Sequence, residues 1–339
     1  MKKKKLPLEE AIGHPLSHDL TQISPQRGFK GARFKKGHVV EESDLEILRS
    51  MGRAHLTVLE LEPQEVHEDD ASVRLSRMLT GDGVSSSGPS EGKCTLKAER
   101  DGLLHFDTDG VNGINLDPSW IVSTLPVNVP VKRGEIVAGF RVLPLAVDEE
   151  QVKRAEEIAS PISVIPFYPL KLGLVTTGKE LAEGRIKDSF RPKLEVKIAE
   201  YGGTIIEQTV VPDEKEVIVQ AINHMVDIGA EAIICTGGMS VDADDVTSSA
   251  IKTTTDETIF KGIPVLPGCH IMLARKGGLP VLGVPAGAVF ETWTSLDLLL
   301  PRVFAGILPS FEETRRWGVG GLCRHCEICN FPNCGFASR

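Results

Sequence analysis

Glu231-Ala232-Ile233-Ile234-Cys235-Thr236-Gly237-Gly238-Met239-Ser240-Val241-Asp242-Ala243-Asp244-Asp245-Val246-Thr247 is the stretch whose reading decides the fold. Its apolar start, with two adjacent isoleucines, predicts a short strand buried on both faces. The strand runs into Thr236-Gly237-Gly238, where a missing Cβ lets backbone N–H groups come close to an anion. Ser240, Asp242, Asp244 and Asp245 follow, and Val246-Thr247-Ser248-Ser249 opens a helix. In an open α/β sheet, ligands lie outside the carboxyl ends of the strands, and helix N-termini attract anions. Carboxylates beside such a cradle make sense with a Mg²⁺ between them and the phosphate, and Asp242 and Asp245 are its candidate ligands. The competing reading is a turn in which Asp245 is an ordinary N-cap.

On both sides of this stretch, strand and helix patterns alternate, which predicts a three-layer αβα unit around a mostly parallel sheet. Leu172–Thr176 reads as a strand followed by the loop Thr177-Gly178-Lys179-Glu180-Leu181. Asp188-Ser189 caps a helix with apolar positions at Phe190, Leu194 and Ile198, and Gly202-Gly203 ends it. Thr204–Val211 is the next strand, and Asp213 opens a helix with Glu216 at capping-box spacing. Further strands are expected near 258–266, 271–275 and 280–284, with a last helix from about Val289 to Leu300. The loops at Thr177-Gly178, Asp213, Thr236 to Asp245 and Gly283 to Gly287 should all leave strand ends on one edge. That convergence sets the stretch apart from a chance turn.

Upstream the pattern is less regular. An α+β region is expected over 1–81, and a polar break at 82–92 reads as a loop or linker. A small β-rich module follows over 93–147, before the α/β domain at 170–307 and a Cys-rich tail at 318–339. Lys2 to Lys5 reads as a solvated, frayed end, because no signal-peptide apolar core follows it. The net charge of −9 argues against a nucleic-acid surface. No apolar run approaches membrane-spanning length, so a cytoplasmic protein with no membrane partner is expected. Cys94, Cys235 and Cys269 stand in apolar or strand contexts and read as small buried residues.

Five segments in order carry a resemblance: Thr176-Thr177-Gly178-Lys179-Glu180-Leu181, Asp188-Ser189, Val211-Pro212-Asp213-Glu214, Thr236-Gly237-Gly238 and Asp245-Val246-Thr247. They resemble the molybdopterin-binding domain shared by molybdopterin molybdotransferases, molybdopterin adenylyltransferases and gephyrin-type proteins. The resemblance spans roughly 170–307. It implies that Thr177, Gly178, Asp188, Ser189, Thr236, Gly237, Gly238, Ser240 and Pro285 hold the pterin and its phosphate. It also implies that Asp213 and Asp245 are the catalytic acids tied to Mg²⁺ and to the pterin–AMP anhydride. The activity implied is molybdate insertion into adenylylated molybdopterin. The alternatives are adenylylation of molybdopterin by ATP, or a non-catalytic carrier. A homo-oligomer is expected on the same ground. The chain departs from the molybdotransferase pattern at Asp242, at Phe190, at Pro285-Ala286-Gly287-Ala288, and in lacking an Asp-Gly-Tyr-Ala segment.

Cys323-x-x-Cys326-x-x-Cys329-x-x-x-x-Cys334 closes the chain. Four thiolates at this spacing suit a [4Fe–4S] cluster or a tetrahedral Zn²⁺. The two consecutive x-x gaps resemble the start of bacterial ferredoxin ligation.

Overall fold

The computed structural model describes residues 2–24, 29–239, 245–287, 291–332 and 334–336. The chain divides into two compact units, one of Met1–Arg100, Phe106–Leu125 and Arg133–Val164, the other of Asp101–His105, Pro126–Lys132 and Ile165–Arg339.

In the first unit the lysine-rich start is a strand. Lys2–Pro7 pairs antiparallel with His55–Glu60, and Lys2 and Lys4 reach Glu62 and Glu60. Charged residues on an edge strand are a solvated face and carry no apolar period, which is why the sequence showed only a frayed end. Leu6, Leu16, Leu45, Leu48, Leu56 and Val58 form the core beneath it. The polar break is also a strand. Val84–Ser90 joins a four-stranded antiparallel sheet in the order Val84–Ser90, Lys93–Ala98, Ile136–Val142, Trp120–Thr124. Its serines are held by cross-strand pairing with Lys93–Ala98, which a Ser-rich segment does not announce. Within the module read as strands, Thr108–Ile114 is a helix capped by the Asp107 carboxylate.

The second unit is built on a six-stranded sheet. Its strands are β1 (Lys171–Thr177), β2 (Thr204–Val211), β3 (Ala232–Thr236), β4 (Glu257–Lys261), β5 (Met272–Lys276) and β6 (Leu279–Val284). The order is β2-β1-β3-β6-β5-β4; the first four are parallel, and β5 runs antiparallel to both its neighbours. Its helices include α1 (Phe190–Ala199), α2 (Lys215–Asp227), α3 (Val246–Thr254) and α4 (Ser295–Phe304).

Strand residues of alternate parity go to opposite faces, because side chains alternate along a strand. Leu172, Leu174, Ala232, Ile234, Leu282 and Val284 pack with Leu194 and Ile198 of α1 and with Leu296 to Phe304 of α4. Val175, Ile233, Cys235 and Val281 pack with Ile218, Ile222 and Met225 of α2 and with Ala250 and Ile251 of α3. This is the mostly parallel, doubly covered sheet that the alternation predicted. Gly173 belongs to the packing: a Cβ there would stand 2.8 Å from Met225. The helix expected from about Val289 begins at Ser295, residue 289 lies outside the described residues, and a further short helix, Phe311–Arg315, follows it.

Burial pushes the Cys235 thiol up to about 12 and the Cys94 thiol up to about 11, as suits packing residues. Cys269 is only half-buried, against expectation. Among the described residues no helix is long and apolar enough to cross a membrane.

Candidate functional site

Register places the strand ends side by side. Thr176 of β1 is level with Thr236 of β3, and Thr236 is level with Val284 of β6; Thr177 is level with Val211 of β2. Gly178, Pro212, Gly237 and Pro285 therefore leave the sheet together at one rim. The antiparallel β5 returns β4 to the same direction, so Lys261 also ends its strand at this rim.

The rim closes over two glycines. Gly237 and Gly238 lie at φ +88° and +54°, where side chains are disfavoured. A Cβ on Gly237 would meet the Thr177 carbonyl oxygen at 2.2 Å, and one on Gly238 would meet Thr247 Oγ1 at 2.6 Å and Asp213 Oδ1 at 3.5 Å. Thr177 Oγ1 and Thr247 Oγ1 are 3.2 Å apart and both residues are buried. The loop after β1, the loop after β2, the glycine pair after β3 and the first turn of α3 thus converge. Thr236, which ends β3, shares the face of Ala232 and Ile234, opposite that of Thr177 and Thr247; it is fully buried, and its hydroxyl has no hydrogen-bond partner among the described residues. A cradle open at two missing Cβ atoms, at the end of a strand whose last hydroxyl is unpartnered, fits an anionic ligand.

The two aspartates have different surroundings. Asp213 does not cap α2: its N-cap position is Glu214, and no side-chain cap bond forms there. Instead Asp213 Oδ2 accepts the Lys179 backbone N–H at 3.3 Å, which ties the loop after β2 to the loop after β1. Asp245 is the cap. Its Oδ1 accepts the Ser248 N–H at 3.2 Å, and its Oδ2 receives the Lys261 ammonium at 3.1 Å. Its side chain is only 3% exposed. Mg²⁺ does not fit at Asp245 as folded, since both carboxylate oxygens are engaged and a lysine already supplies the positive charge.

The other predicted residues are distributed as follows. Asp188 accepts the N–H groups of Phe190 and Arg191 at 2.8 and 3.2 Å, so it caps α1 from one residue upstream of Ser189, which forms no cap bond. Asp188 is linked towards the rim by Gln208, whose amide donates to Asp188 Oδ2 at 2.7 Å and to Thr176 Oγ1 at 2.9 Å. Gly178 sits at φ +149° before the short helix Lys179–Ala182. Pro285 is buried one residue past β6. Ser240 and Asp242 lie outside the described residues. Sequence reasoning missed Gln208 and Lys261 as rim residues, because their partners are set by the sheet and have no local signature, and it read Ser248 only as part of a helix start.

The tail is held against the same unit. The Leu266 N–H donates to the Gly321 carbonyl and the Cys323 N–H to the Leu266 carbonyl, both at 2.8 Å. Phe331 lies 4.7 Å from the ring of Trp293, and Cys323 and Cys334 pack on the core. Cys326 and Cys329 are exposed. Among the described residues no three His, Cys, Asp or Glu side chains are grouped to hold a metal ion. The four sulfurs have the right chemistry for a cluster or zinc, but this arrangement does not gather them.

Residues 173–305 match the family described as probable molybdopterin binding domain, and residues 5–60 match one described only as a domain of unknown function. A CinA-like protein of Amoebophilus asiaticus is 31% identical over 87 residues, 26% of this chain and 21% of that protein. The molybdopterin molybdenumtransferase of Synechococcus elongatus is 26% identical over 147 residues, 40% of this chain and 36% of that protein. The chain thus spans well under two thirds of either curated relative. The crystal structure of a molybdopterin biosynthesis protein from Mycobacterium abscessus aligns with 41% of this chain and 95% of its own, at 20% identity and a TM-score of 0.36.

Proposed function

We propose that the α/β unit binds molybdopterin, or its adenylate, with the phosphate seated at the rim over Gly237-Gly238, and that the protein serves molybdenum cofactor assembly. The observation that supports it most is the closure of Thr177 and Thr247 over the positive-φ glycines Gly237-Gly238 at the ends of the strands. The glycines let the backbone approach the phosphate, the threonine hydroxyls donate to its oxygens, and the first turn of α3 adds its N-terminal partial charge. Asp213, tied to the loop after β1, is the carboxylate facing this cradle. The match of residues 173–305 to the molybdopterin-binding family supports the same ligand.

The reaction we propose is molybdate insertion with release of AMP from the adenylate, and adenylylation by ATP is the alternative at the same anhydride. Positioning and charge are what such phosphoryl chemistry asks of a protein. A second reading, a carrier without turnover, is favoured by the engagement of Asp245 with Lys261. Incubating the purified chain with molybdopterin, Mg²⁺ and either ATP or adenylate plus molybdate, while following AMP and metal-loaded pterin, separates the three. Turnover that Asp213→Asn abolishes supports an enzyme, and binding without turnover supports the carrier.

The tail is a separate proposal. Cys323, Cys326, Cys329 and Cys334 are a ligand set for a [4Fe–4S] cluster or Zn²⁺ once the tail leaves its packed arrangement. Metal analysis and an optical spectrum of anaerobically prepared protein test it, and metal-free protein refutes it.

A further inference from the structure

The misfit of Mg²⁺ at Asp245 has a specific cause. Lys261 closes β4 at the rim, three strands away from β3 in the sheet, and reaches the first turn of α3. Its ammonium donates to Asp245 Oδ2 at 3.1 Å and to Ser248 Oγ at 2.7 Å. Two of its three protons are thereby fixed, and its side chain remains 37% exposed. Asp245 itself holds the helix start through the Ser248 N–H. One aspartate, one serine and one lysine thus pin a positive charge beside the turn from which Thr247 reaches the glycine cradle.

The electrostatic consequence concerns the ligand. An ionised Asp245 without a partner would repel a phosphate arriving at the helix start. With Lys261 in place the pair is neutral, and the partial positive charge of the helix N-terminus is left unopposed. The remaining ammonium proton is available to a ligand oxygen. We propose that Lys261, in place of a divalent cation at Asp245, is a positive charge this rim offers to the phosphate of its ligand, with Asp245 and Ser248 as the residues that position it. This rests on reading the rim as a molybdopterin phosphate site.

Equilibrium binding of molybdopterin to the full chain, in EDTA and in millimolar Mg²⁺, tests the proposal. Wild-type protein should bind equally in both. Lys261→Met should lose roughly tenfold or more in EDTA, the scale of one charge-assisted contact. Lys261→Arg, which keeps the cation, should recover most of it and controls for folding. Wild-type binding that vanishes in EDTA, or Lys261→Met binding like wild type, overturns the proposal. Thermal melting supplies an arm that needs no pterin. Mg²⁺ should leave the wild-type Tm unchanged but raise that of Lys261→Met, where Asp245 has lost its partner. A wild-type Tm that Mg²⁺ raises, and that Asp245→Asn makes insensitive, overturns it as well. If no variant binds molybdopterin under either condition while melting behaves as stated, the pterin reading fails and the Lys261–Asp245 assignment survives as an anion site, with inorganic phosphate as the next probe.

Discussion

Thr177 and Thr247 meet hydroxyl to hydroxyl at 3.2 Å although they are 70 residues apart, one ending a central strand and the other in the first turn of a helix. The contact passes over Gly237-Gly238, and Gly237, whose Cβ would meet the Thr177 backbone, is required by the closure whether or not a ligand is bound. Gly237→Ala drives a Cβ into the backbone carbonyl of Thr177 at a positive φ and should cost about 2 kcal/mol or more. Urea unfolding of wild type and variant measures it.

Thr236→Val tests the buried hydroxyl. Valine keeps the shape and removes an oxygen that has no partner among the described residues, so ligand-free stability should stay level or rise by about 1 kcal/mol. Molybdopterin binding should weaken at the same time. Stability that falls, with binding unchanged, would make the hydroxyl structural.

Asp213→Asn should behave in the opposite sense to a core substitution. The residue is exposed, and its one backbone contact, from Lys179, is 3.3 Å long. Stability should change by no more than about 0.5 kcal/mol. AMP release should be lost if the chain is an enzyme, as a discontinuous assay on the purified variant would show.

The first unit should lose stability as pH rises from about 4.5 to about 7. Glu68 opens the helix Glu68–Leu79 and is almost wholly buried; burial and then the neighbouring Asp69 push its carboxyl from 4.5 to about 7. Between those values the folded chain retains a proton that the unfolded chain has released, so the stability present below the window is lost above it. The effect should reach at most about 3 kcal/mol, and Glu68→Gln should remove it. Denaturant unfolding at either end of the window reads the difference directly.

Much of the α/β unit was legible because both faces of its sheet are buried. Ile233, Ile234, Val281 and Leu282 form runs that only a doubly covered strand explains. The edge strand Lys2–Pro7 and the serine strand Val84–Ser90 were not legible, since long-range pairing holds them while most of their side chains face water. The two aspartates show the limit at the site. Asp213 and Asp245 both precede helices and both look like caps, yet only Asp245 caps; Glu214 takes the N-cap position of α2, and Asp213 accepts the Lys179 N–H instead. Lys261 had no local mark, because its partner follows from the strand order.

The central claim is that the glycine cradle seats a pterin phosphate. Gly238→Ala tests it most directly, because its Cβ would enter the cradle from beside Thr247 Oγ1 and Asp213 Oδ1 and leave the Thr177 backbone clear. Molybdopterin titrated into wild type and Gly238→Ala, with both melts recorded, should bind saturably to the first and not to the second while the variant remains folded. No binding by wild type, or equal binding by both, would contradict the account.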